Sequence, residues 1–276
     1  MRLTSRQVRS FHLDVYRFAR THTRRFPWRL RRTPYRVLVS EVMLQQTQAL
    51  RVSPFFTRFL KLFPSVRALA YAQTREVISA WKGLGYNRRA LNLKRAAEII
   101  TSDYRGKIPC DVTLLMQLPG IGSYTASAVM AFAFNRPVVC IETNIRTVFI
   151  DRFFKDTRRV RDQELLVLIE QTLDRENPRA WYEALMDFGV YLKSEGRGHN
   201  ARSAHYVRQK PFKGSRRELR GKLLSWALSS SITKSALVHF CQRNHTAQRT
   251  ALGVLHKLAS EGFFPERRIR ALLKRK

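Results

Sequence analysis

Residues 118–148, LPGIGSYTASAVMAFAFNRPVVCIETNIRTV, begin with a two-glycine turn that lies between two segments of helical character. Ahead of the turn, residues 111–117 can form a short helix with leucines on one side. Behind it, Ser123–Phe134 is a run of small and apolar residues, which is typical of a buried helix. Beyond the break at residues 135–137, Glu142 leads a further helix. The pattern therefore predicts a helix–turn–helix followed by a placed carboxylate.

The turn has the features of a phosphate-binding site. The backbone amides of Gly120, Gly122 and Ser123 have no partner inside either predicted helix. They would lie at the positive N-terminus of a helix, where anions bind, and glycine lets another backbone approach closely. Considered alone, the glycines favour an ordinary turn between two helices.

The charge of the chain indicates a polyanionic partner. Its 276 residues include 52 lysines and arginines and 20 aspartates and glutamates, so the formal net charge is 52 − 20 = +32. The basic residues are spread along the chain, and 44% of the residues are hydrophobic, as in a folded protein. Nucleic acid is the expected partner, and a basic helix on a membrane surface is the weaker alternative.

The sequence predicts neither a membrane span nor a cofactor. No segment approaches the roughly 20 apolar residues of a membrane helix, and the polar first nine residues precede no apolar run. We therefore expect a cytoplasmic, nucleoid-associated protein. Cys110, Cys140 and Cys241 are far apart and form no C-x-x-C pair. Three cysteines cannot assemble a four-cysteine iron–sulfur cluster, so no metal is expected.

Helical periodicity predicts an all-α fold with short loops. Thr33 as cap and Pro34 as first residue begin a helix that we expect to run through residue 48. Its residues are mostly apolar, which favours a buried Glu41, although a thin solvated stripe would also accommodate that side chain. The loop before this helix is expected to carry Trp28 at its tip. A glycine turn at residues 83–86 is expected to expose a leucine and a tyrosine.

A polar, basic and glycine-containing stretch after residue 193 indicates a linker. It divides the chain into domains at residues 1–207 and 208–276. The second domain is predicted to hold three helices, the first starting at Ser215 and the next two capped by Ser231 and Thr246. These elements suit a helix-turn-helix or winged-helix-like unit that binds DNA, or a packing module that does not.

Several motifs carry a resemblance to a known family. Between residues 26 and 193 they occur in one register: PWR, TPYRVLVSEVMLQQTQ, WKGLGY, LPGIGSYTASAVM, ETN and ALMDFG. In this combination the chain resembles the helix-hairpin-helix DNA glycosylases, and among them the MutY-type adenine-specific mismatch glycosylases. The resemblance implies a base-excision-repair enzyme that flips and hydrolytically removes adenine mispaired with guanine or 8-oxoguanine. Its partner would be double-stranded DNA, bound by a monomer.

The resemblance also implies roles for four residues at the reaction centre. Glu41 matches the acid that protonates adenine and later handles water, and Glu142 matches an aspartate that stabilises positive charge on the sugar. Asn144 matches a residue that supports the carboxylates. Tyr124 occupies the position at which a lysine marks the strand-nicking branch, so a monofunctional enzyme is expected.

Other positions match the DNA-binding segments of the family. Gln45, Gln46 and Thr47 match the segment that fills the gap left by the flipped base. Leu84 and Tyr86 match the turn that probes the opposite strand. The loop that borders the base pocket is matched by Trp28 and Arg29.

The chemistry of excision suits the two carboxylates independently of the resemblance. Adenine is a poor anionic leaving group and needs a proton donor, while the oxocarbenium-like sugar needs a nearby anion. Burial among apolar residues would raise the pKa of Glu41 as a general acid requires. Glu142 at a helix N-terminus is expected to stay ionised.

Three features depart from the family pattern. Glu142 replaces an aspartate and is one methylene longer. Lys193 stands where the first iron–sulfur ligand would be, and the short basic unit stands in place of the C-terminal domain that inspects 8-oxoguanine. Two alternatives therefore stay open: removal of uracil or thymine from mispairs with guanine, and non-catalytic binding of lesions. A pure binder would have no use for the two glutamates.

Overall fold

A computed structural model describes residues 1–154, 157, 159–206 and 211–273, and these residues are predominantly helical. Within these ranges no β-strand is present, and one isolated bridge pairs Val160 with Ser203. The prediction of an all-α fold is therefore confirmed. None of the helices in these ranges is long and apolar enough to cross a membrane.

The helices share short connections and are numbered in chain order. They are α1 (Ser5–His22), α2 (Pro27–Leu30), α3 (Pro34–Leu44), α4 (Ala49–Leu62), α5 (Val66–Tyr71), α6 (Thr74–Trp81), α7 (Arg88–Asp103), α8 (Val112–Met116), α9 (Ser123–Phe134), α10 (Thr143–Phe153), α11 (Asp162–Thr172), α12 (Pro178–Ser194), α13 (Arg216–Ser229), α14 (Lys234–Arg243), α15 (Gln248–Ser260) and α16 (Arg270–Leu273). Two 3₁₀ turns, His199–Arg202 and Glu266–Arg268, complete the set.

The chain forms two compact units, residues 1–46 with 107–208 and residues 47–106 with 209–276. The C-terminal helices belong to the second unit. Glu261, which follows α15, forms ion pairs with Arg88 of α7 at 3.2 Å and with Arg220 of α13 at 2.6 Å. This grouping differs from a division into residues 1–207 and 208–276, and those two domains stay a prediction.

One predicted helix cap is confirmed, because the side chain of Thr33 accepts a backbone N–H at the start of α3. Thr4 and Asp111, for which no cap was predicted, cap α1 and α8 in the same way. Two predicted caps were wrong: α14 is capped by Thr233 rather than Ser231, and Ala247 rather than Thr246 precedes α15.

The helix that carries Glu41 ends earlier than predicted. It stops at Leu44, because Gln46 adopts a left-handed conformation with φ of 54° that no continuing helix allows. Residues 45–48 therefore form a turn between α3 and α4 instead of the last turn of α3.

An aromatic cluster forms the core of the first unit. Phe11 of α1 contacts the rings of Phe149, Phe153 and Trp181 edge-on, with centroids 5.2–5.5 Å apart. These side chains come from α1, α10 and α12, so α12 packs against both other helices. The cluster holds the C-terminal half of α10, the helix that Glu142 caps at its other end.

The second unit has its own core. Phe59 packs edge-on against Trp81 at 5.7 Å, and α5 and α6 both pack on α7. Helices α13 and α15 pack together, and Phe263 and Phe264 after them are buried. Residues 211–273 contain the three predicted helices but no strand, so the described part lacks the wing of a winged helix.

Candidate active site

The helix–turn–helix between α8 and α9 forms as predicted. Gly120 has φ of 79°, which glycine adopts without strain, and Gly122 is the N-cap of α9 with φ of −89°. Among the described residues, no acceptor is assigned to the amides of Gly120, Gly122 and Ser123. A Cβ atom built on Gly122 meets nothing within 4 Å. The turn is therefore open to a ligand and presents backbone donors to it.

The end of α3 is attached to this turn through one side chain. Gln45 donates from Nε2 to the carbonyl oxygen of Gly120 at 3.3 Å and to Oγ1 of Thr125 at 3.1 Å. Helices α3 and α9 also pack against each other. The glycine turn and the helix that carries Glu41 are thereby held in one arrangement.

Glu41 is buried in the middle of α3, with 6% of its surface exposed. Tyr124 of α9 donates its hydroxyl to Oε2 of Glu41 at 3.4 Å. The pKa of Glu41 is raised from 4.5 to about 7: burial is the main cause and the negative charge of Glu142 adds to it, while the Tyr124 hydrogen bond and the charge of Arg29 oppose the rise. The solvated alternative for Glu41 is therefore excluded, and the expected rise of its pKa is found.

Glu142 caps α10 with its own carboxylate. Oε1 accepts the backbone N–H groups of Asn144 at 2.7 Å and Ile145 at 2.8 Å, and Oε2 accepts Nδ2 of Asn144 at 3.1 Å. Although part of Glu142 remains exposed, burial of its carboxylate raises the pKa, opposed by both N–H bonds and by the charges of Lys193 and Arg146. The sequence predicted that Glu142 stays ionised at a helix N-terminus, and that prediction did not include the burial that raises its pKa.

The backbone that leads to Glu142 is held by α12. Tyr182 donates its hydroxyl to the carbonyl oxygen of Val138 at 2.8 Å and accepts the N–H of Cys140 at 3.2 Å. Cys140 is buried, which raises the pKa of its thiol. This cysteine therefore supports the segment before Glu142 and is an inert core residue.

Two residues of α12 that contact Asn144 were missed as site residues. Lys193 donates from Nζ to Oδ1 of Asn144 at 2.6 Å. Gly189 lies so close that an added Cβ would be 2.2 Å from the Asn144 carbonyl oxygen. The glycine offered a signal in the sequence, since helix interiors disfavour glycine unless packing requires it.

The loop that precedes α3 differs from expectation. Residues 27–30 form the short helix α2, and Trp28 is buried with its ring stacked on Phe26 at 4.7 Å. The prediction of an aromatic tip was therefore wrong. Arg29 forms a bidentate pair with the buried carboxylate of Asp187 at 2.7 and 3.0 Å, which Arg24 also binds. This pairing fixes Arg29 in the first unit.

Three of the predicted DNA-binding residues lie in the second unit. Thr47 accepts a hydrogen bond from Arg89 at 3.1 Å. Leu84 is only 2% exposed, so the prediction of an exposed leucine was wrong: the turn between Gly83 and Gly85 directs it inward. Tyr86 is 37% exposed and its hydroxyl accepts a hydrogen bond from Arg217 at 2.9 Å.

The described residues do not fit the iron–sulfur cluster of the family. Lys193, at the position of the first ligand, uses its amine to bind Asn144, and residues 194–206 include no cysteine. Cys110 is exposed ahead of α8, Cys140 is buried beside Tyr182, and Cys241 lies in the second unit. In the described ranges, no three His, Cys, Asp or Glu side chains converge to hold a metal ion.

Comparisons with known proteins find similarity to DNA glycosylases. Residues 39–171 match the model of the HhH-GPD superfamily base excision DNA repair proteins. The chain is 32% identical over 170 residues to the adenine DNA glycosylase of Buchnera aphidicola subsp. Baizongia pistaciae, which covers 60% of this chain and 48% of the relative. It is 45% identical over 129 residues to the adenine DNA glycosylase of Mycolicibacterium smegmatis, a match that covers 46% of this chain and 44% of the relative.

A solved structure of a thermostable thymine-DNA glycosylase is also similar, with a TM-score of 0.63 and 28% identity. It covers 71% of this chain and 94% of its own. The chain spans about half the length of the first curated relatives that it matches.

Proposed function

Through residues 39–171 the chain belongs to the HhH-GPD superfamily of base excision DNA repair proteins, and from this premise we propose that it is a MutY-type DNA glycosylase. It flips adenine that is mispaired with guanine or 8-oxoguanine and removes the base by hydrolysis. Its activity, substrate and partner are all inferred, because the chain spans only about half the length of the adenine glycosylases that it matches. The protein acts as a monomer in the cytoplasm, on nucleoid DNA.

The observation that carries the proposal is the pair of glutamates in contrasting surroundings. Glu41 has a pKa near 7, so it retains a proton to donate at neutral pH. Burial raises the pKa of Glu142, but two backbone N–H groups and the charges of Lys193 and Arg146 oppose this rise and favour the anionic form. One fold thus supplies an acid and an anion, the two groups that excision of a purine needs.

Each group has a defined part in the reaction. Glu41 transfers its proton to a ring nitrogen of adenine as the bond between the base and C1′ of the sugar breaks, and the bonding electrons leave with the base. The carboxylate of Glu142 stabilises the positive charge that develops on the sugar. A water molecule then attacks C1′ and gives its proton to the Glu41 carboxylate, which restores the acid.

The hairpin turn supplies the contact with DNA in this proposal. The amides at Gly120, Gly122 and Ser123 bind a phosphate and hold the strand that carries the target nucleotide. A tyrosine at position 124 cannot form the Schiff base that a lysine would, so the enzyme leaves an intact abasic strand. Gln45 and Gln46 in the first unit, and Thr47 and Tyr86 in the second unit, are the predicted DNA-binding residues that we propose contact the DNA. The side chains of Leu84 and Trp28 are buried and Arg29 is paired with Asp187, so we propose that these three residues support the surrounding backbone.

A second candidate is removal of thymine or uracil opposite guanine. The similarity to the thermostable thymine-DNA glycosylase favours it, since that structure covers more of this chain than the adenine glycosylases do. The two glutamates favour adenine instead, because a protonated leaving group helps a purine more than it helps a pyrimidine that already leaves as a stabilised anion.

One experiment separates these candidates. The purified protein is incubated with duplexes that carry A:8-oxoG, A:G, A:C, U:G or T:G, and strand cleavage is measured with and without alkali. The proposal expects cleavage of the adenine strand only after alkali. Cleavage confined to U:G and T:G would support the second candidate, and binding without cleavage of any duplex would support a non-catalytic lesion binder.

A further inference from the structure

Lys193 is a half-buried cation near the end of α12 that contacts the start of α10. Its Nζ donates to Oδ1 of Asn144 at 2.6 Å, and Asn144 donates from Nδ2 to Oε2 of Glu142 at 3.1 Å. Lysine only donates and a carboxylate only accepts, so the Asn144 amide has one possible orientation. A cation and an anion are thereby joined through a single amide.

The position of Lys193 is fixed on both sides. Gly189, one helical turn earlier, brings α12 against the Asn144 backbone. A Cβ atom added to Gly198 would be 3.2 Å from Cγ of Lys193, so the loop after α12 covers the lysine stem. The ammonium is therefore directed at Asn144 by the packing of its surroundings.

The charges around Glu142 favour Lys193 as its main counterion. Arg146, on α10, already forms a bidentate pair with Asp162 at 2.9 and 2.8 Å. Arg24, whose positive charge lowers the pKa of Lys193, is paired with Asp187 at 2.7 Å. Lys193 itself forms no direct ion pair with a described residue. The other titratable groups near Glu142, which are Glu41, Tyr124 and Cys140, carry no positive charge.

We propose that Lys193 is a positioning residue that acts through Asn144 to orient Glu142 and to offset its buried negative charge. This inference rests on the function of Glu142 proposed above. Lys193 itself takes no part in the chemical steps assigned to Glu41 and Glu142. Burial lowers the pKa of Lys193, and the negative charge of Glu142 opposes this lowering. In return, the positive charge of Lys193 lowers the pKa of Glu142 and so favours its anion.

The test uses Lys193→Met, which removes the charge and the donor but keeps the stem, with Lys193→Arg as the charge-preserving variant. Exposed Lys61→Met is the matched control. Single-turnover excision from A:G and A:8-oxoG duplexes is measured from pH 5 to pH 9 at saturating protein. We expect Lys193→Met to lose about tenfold or more, as for one charge-assisted contact, and Lys193→Arg to recover most of the loss.

The pH profile separates positioning from a phosphate contact. Without the ammonium the pKa of Glu142 rises, so the acid limb of the profile should move to higher pH in Lys193→Met. Weaker DNA binding with an unchanged rate and acid limb would overturn the proposal, because that is the behaviour of a surface phosphate contact. A wild-type profile in Lys193→Met would overturn it as well.

A stability measurement keeps the inference testable if the protein excises no base. Lys193→Met, Glu142→Gln and the double variant form a cycle in chemical unfolding at pH 7. Coupled residues should show an interaction of about fivefold or more in the unfolding equilibrium constant. Additive effects in this cycle would overturn the proposal, whatever the activity of the wild type.

Discussion

Gly189 of α12 lies against the backbone of Asn144, and a Cβ atom at this position would be only 2.2 Å from the Asn144 carbonyl oxygen. The contact sets how closely α12 approaches the start of α10. Because Asn144 donates to Glu142 and accepts from Lys193, the same contact determines where the anion of the site is held.

Replacing Gly189 with alanine should therefore damage the fold and the site together. The added methyl group meets backbone rather than a movable side chain, so we expect a loss of roughly 1–3 kcal/mol in the free energy of unfolding and strongly reduced excision. Gly221→Ala and Gly253→Ala are matched controls, since their built Cβ atoms meet nothing within 4 Å. Each should gain about 0.5–1 kcal/mol from the helix preference for alanine. Equal stability of all three variants in denaturant unfolding would contradict the close contact.

Gly122 tests the phosphate-binding turn without disturbing the fold. Its φ of −89° and its open surroundings accept a methyl group, so Gly122→Ala should change the free energy of unfolding by no more than about 1 kcal/mol. The methyl group would point at an approaching DNA backbone. We expect affinity for a mismatched duplex to fall about tenfold or more, as for loss of a hydrogen bond to a charged group, in fluorescence anisotropy. Unchanged affinity would remove the turn from the DNA interface.

The hydroxyl of Tyr124 lowers the pKa of Glu41. Burial is the main cause of the raised Glu41 pKa of about 7, and the Tyr124 hydroxyl opposes this rise by donating to the Glu41 carboxylate. Tyr124→Phe removes the donor, so the pKa of Glu41 should rise and the alkaline limb of the excision rate should move to higher pH. Tyr71→Phe on the surface is the control. A limb that moves to lower pH would contradict the contact.

Glu142 differs from the family's aspartate by one methylene, and two substitutions separate charge from length. Glu142→Gln removes the anion, so excision should fall by roughly 10²–10³-fold. Glu142→Asp keeps the anion and a good helix cap, so it should retain much of the rate or increase it. Single-turnover rates on A:G and A:8-oxoG measure both. If the glutamine variant were the faster of the two, Glu142 would not act as an anion.

Much of the fold follows from local signals in the sequence. Ser123–Phe134 is helical over the predicted residues, because glycine at one end and asparagine with proline at the other delimit an apolar run. Glu142 leads a helix and Glu41 is buried, as the surrounding apolar residues indicated. These features depend on residues that are close together in the chain.

The remaining features depend on contacts that no local pattern encodes. The inward direction of Leu84 is set by left-handed glycines and by packing in the second unit. The approach of Lys193 to Asn144 spans 49 positions in the chain. Tertiary contacts of this kind decide the electrostatics of the site.

The central claim is that Glu41 is the proton donor, and Glu41→Gln tests it most directly. Glutamine keeps the shape but cannot ionise, so no charge is buried at any pH. A raised pKa in the folded state means that Glu41 stabilises the wild type fully below about pH 4.5 and progressively less up to about pH 7. Glu41→Gln should therefore melt higher than the wild type by a margin that grows over that interval and then levels off.

Once its melting shows that Glu41→Gln is folded, the decisive measurement is its single-turnover rate on A:G and A:8-oxoG duplexes at pH 7. Its affinity for the same duplexes is measured alongside. The account predicts a fall of roughly 10²–10⁴-fold in the rate with affinity close to that of the wild type. Excision by Glu41→Gln at the wild-type rate would contradict the mechanism, even with the fold as described.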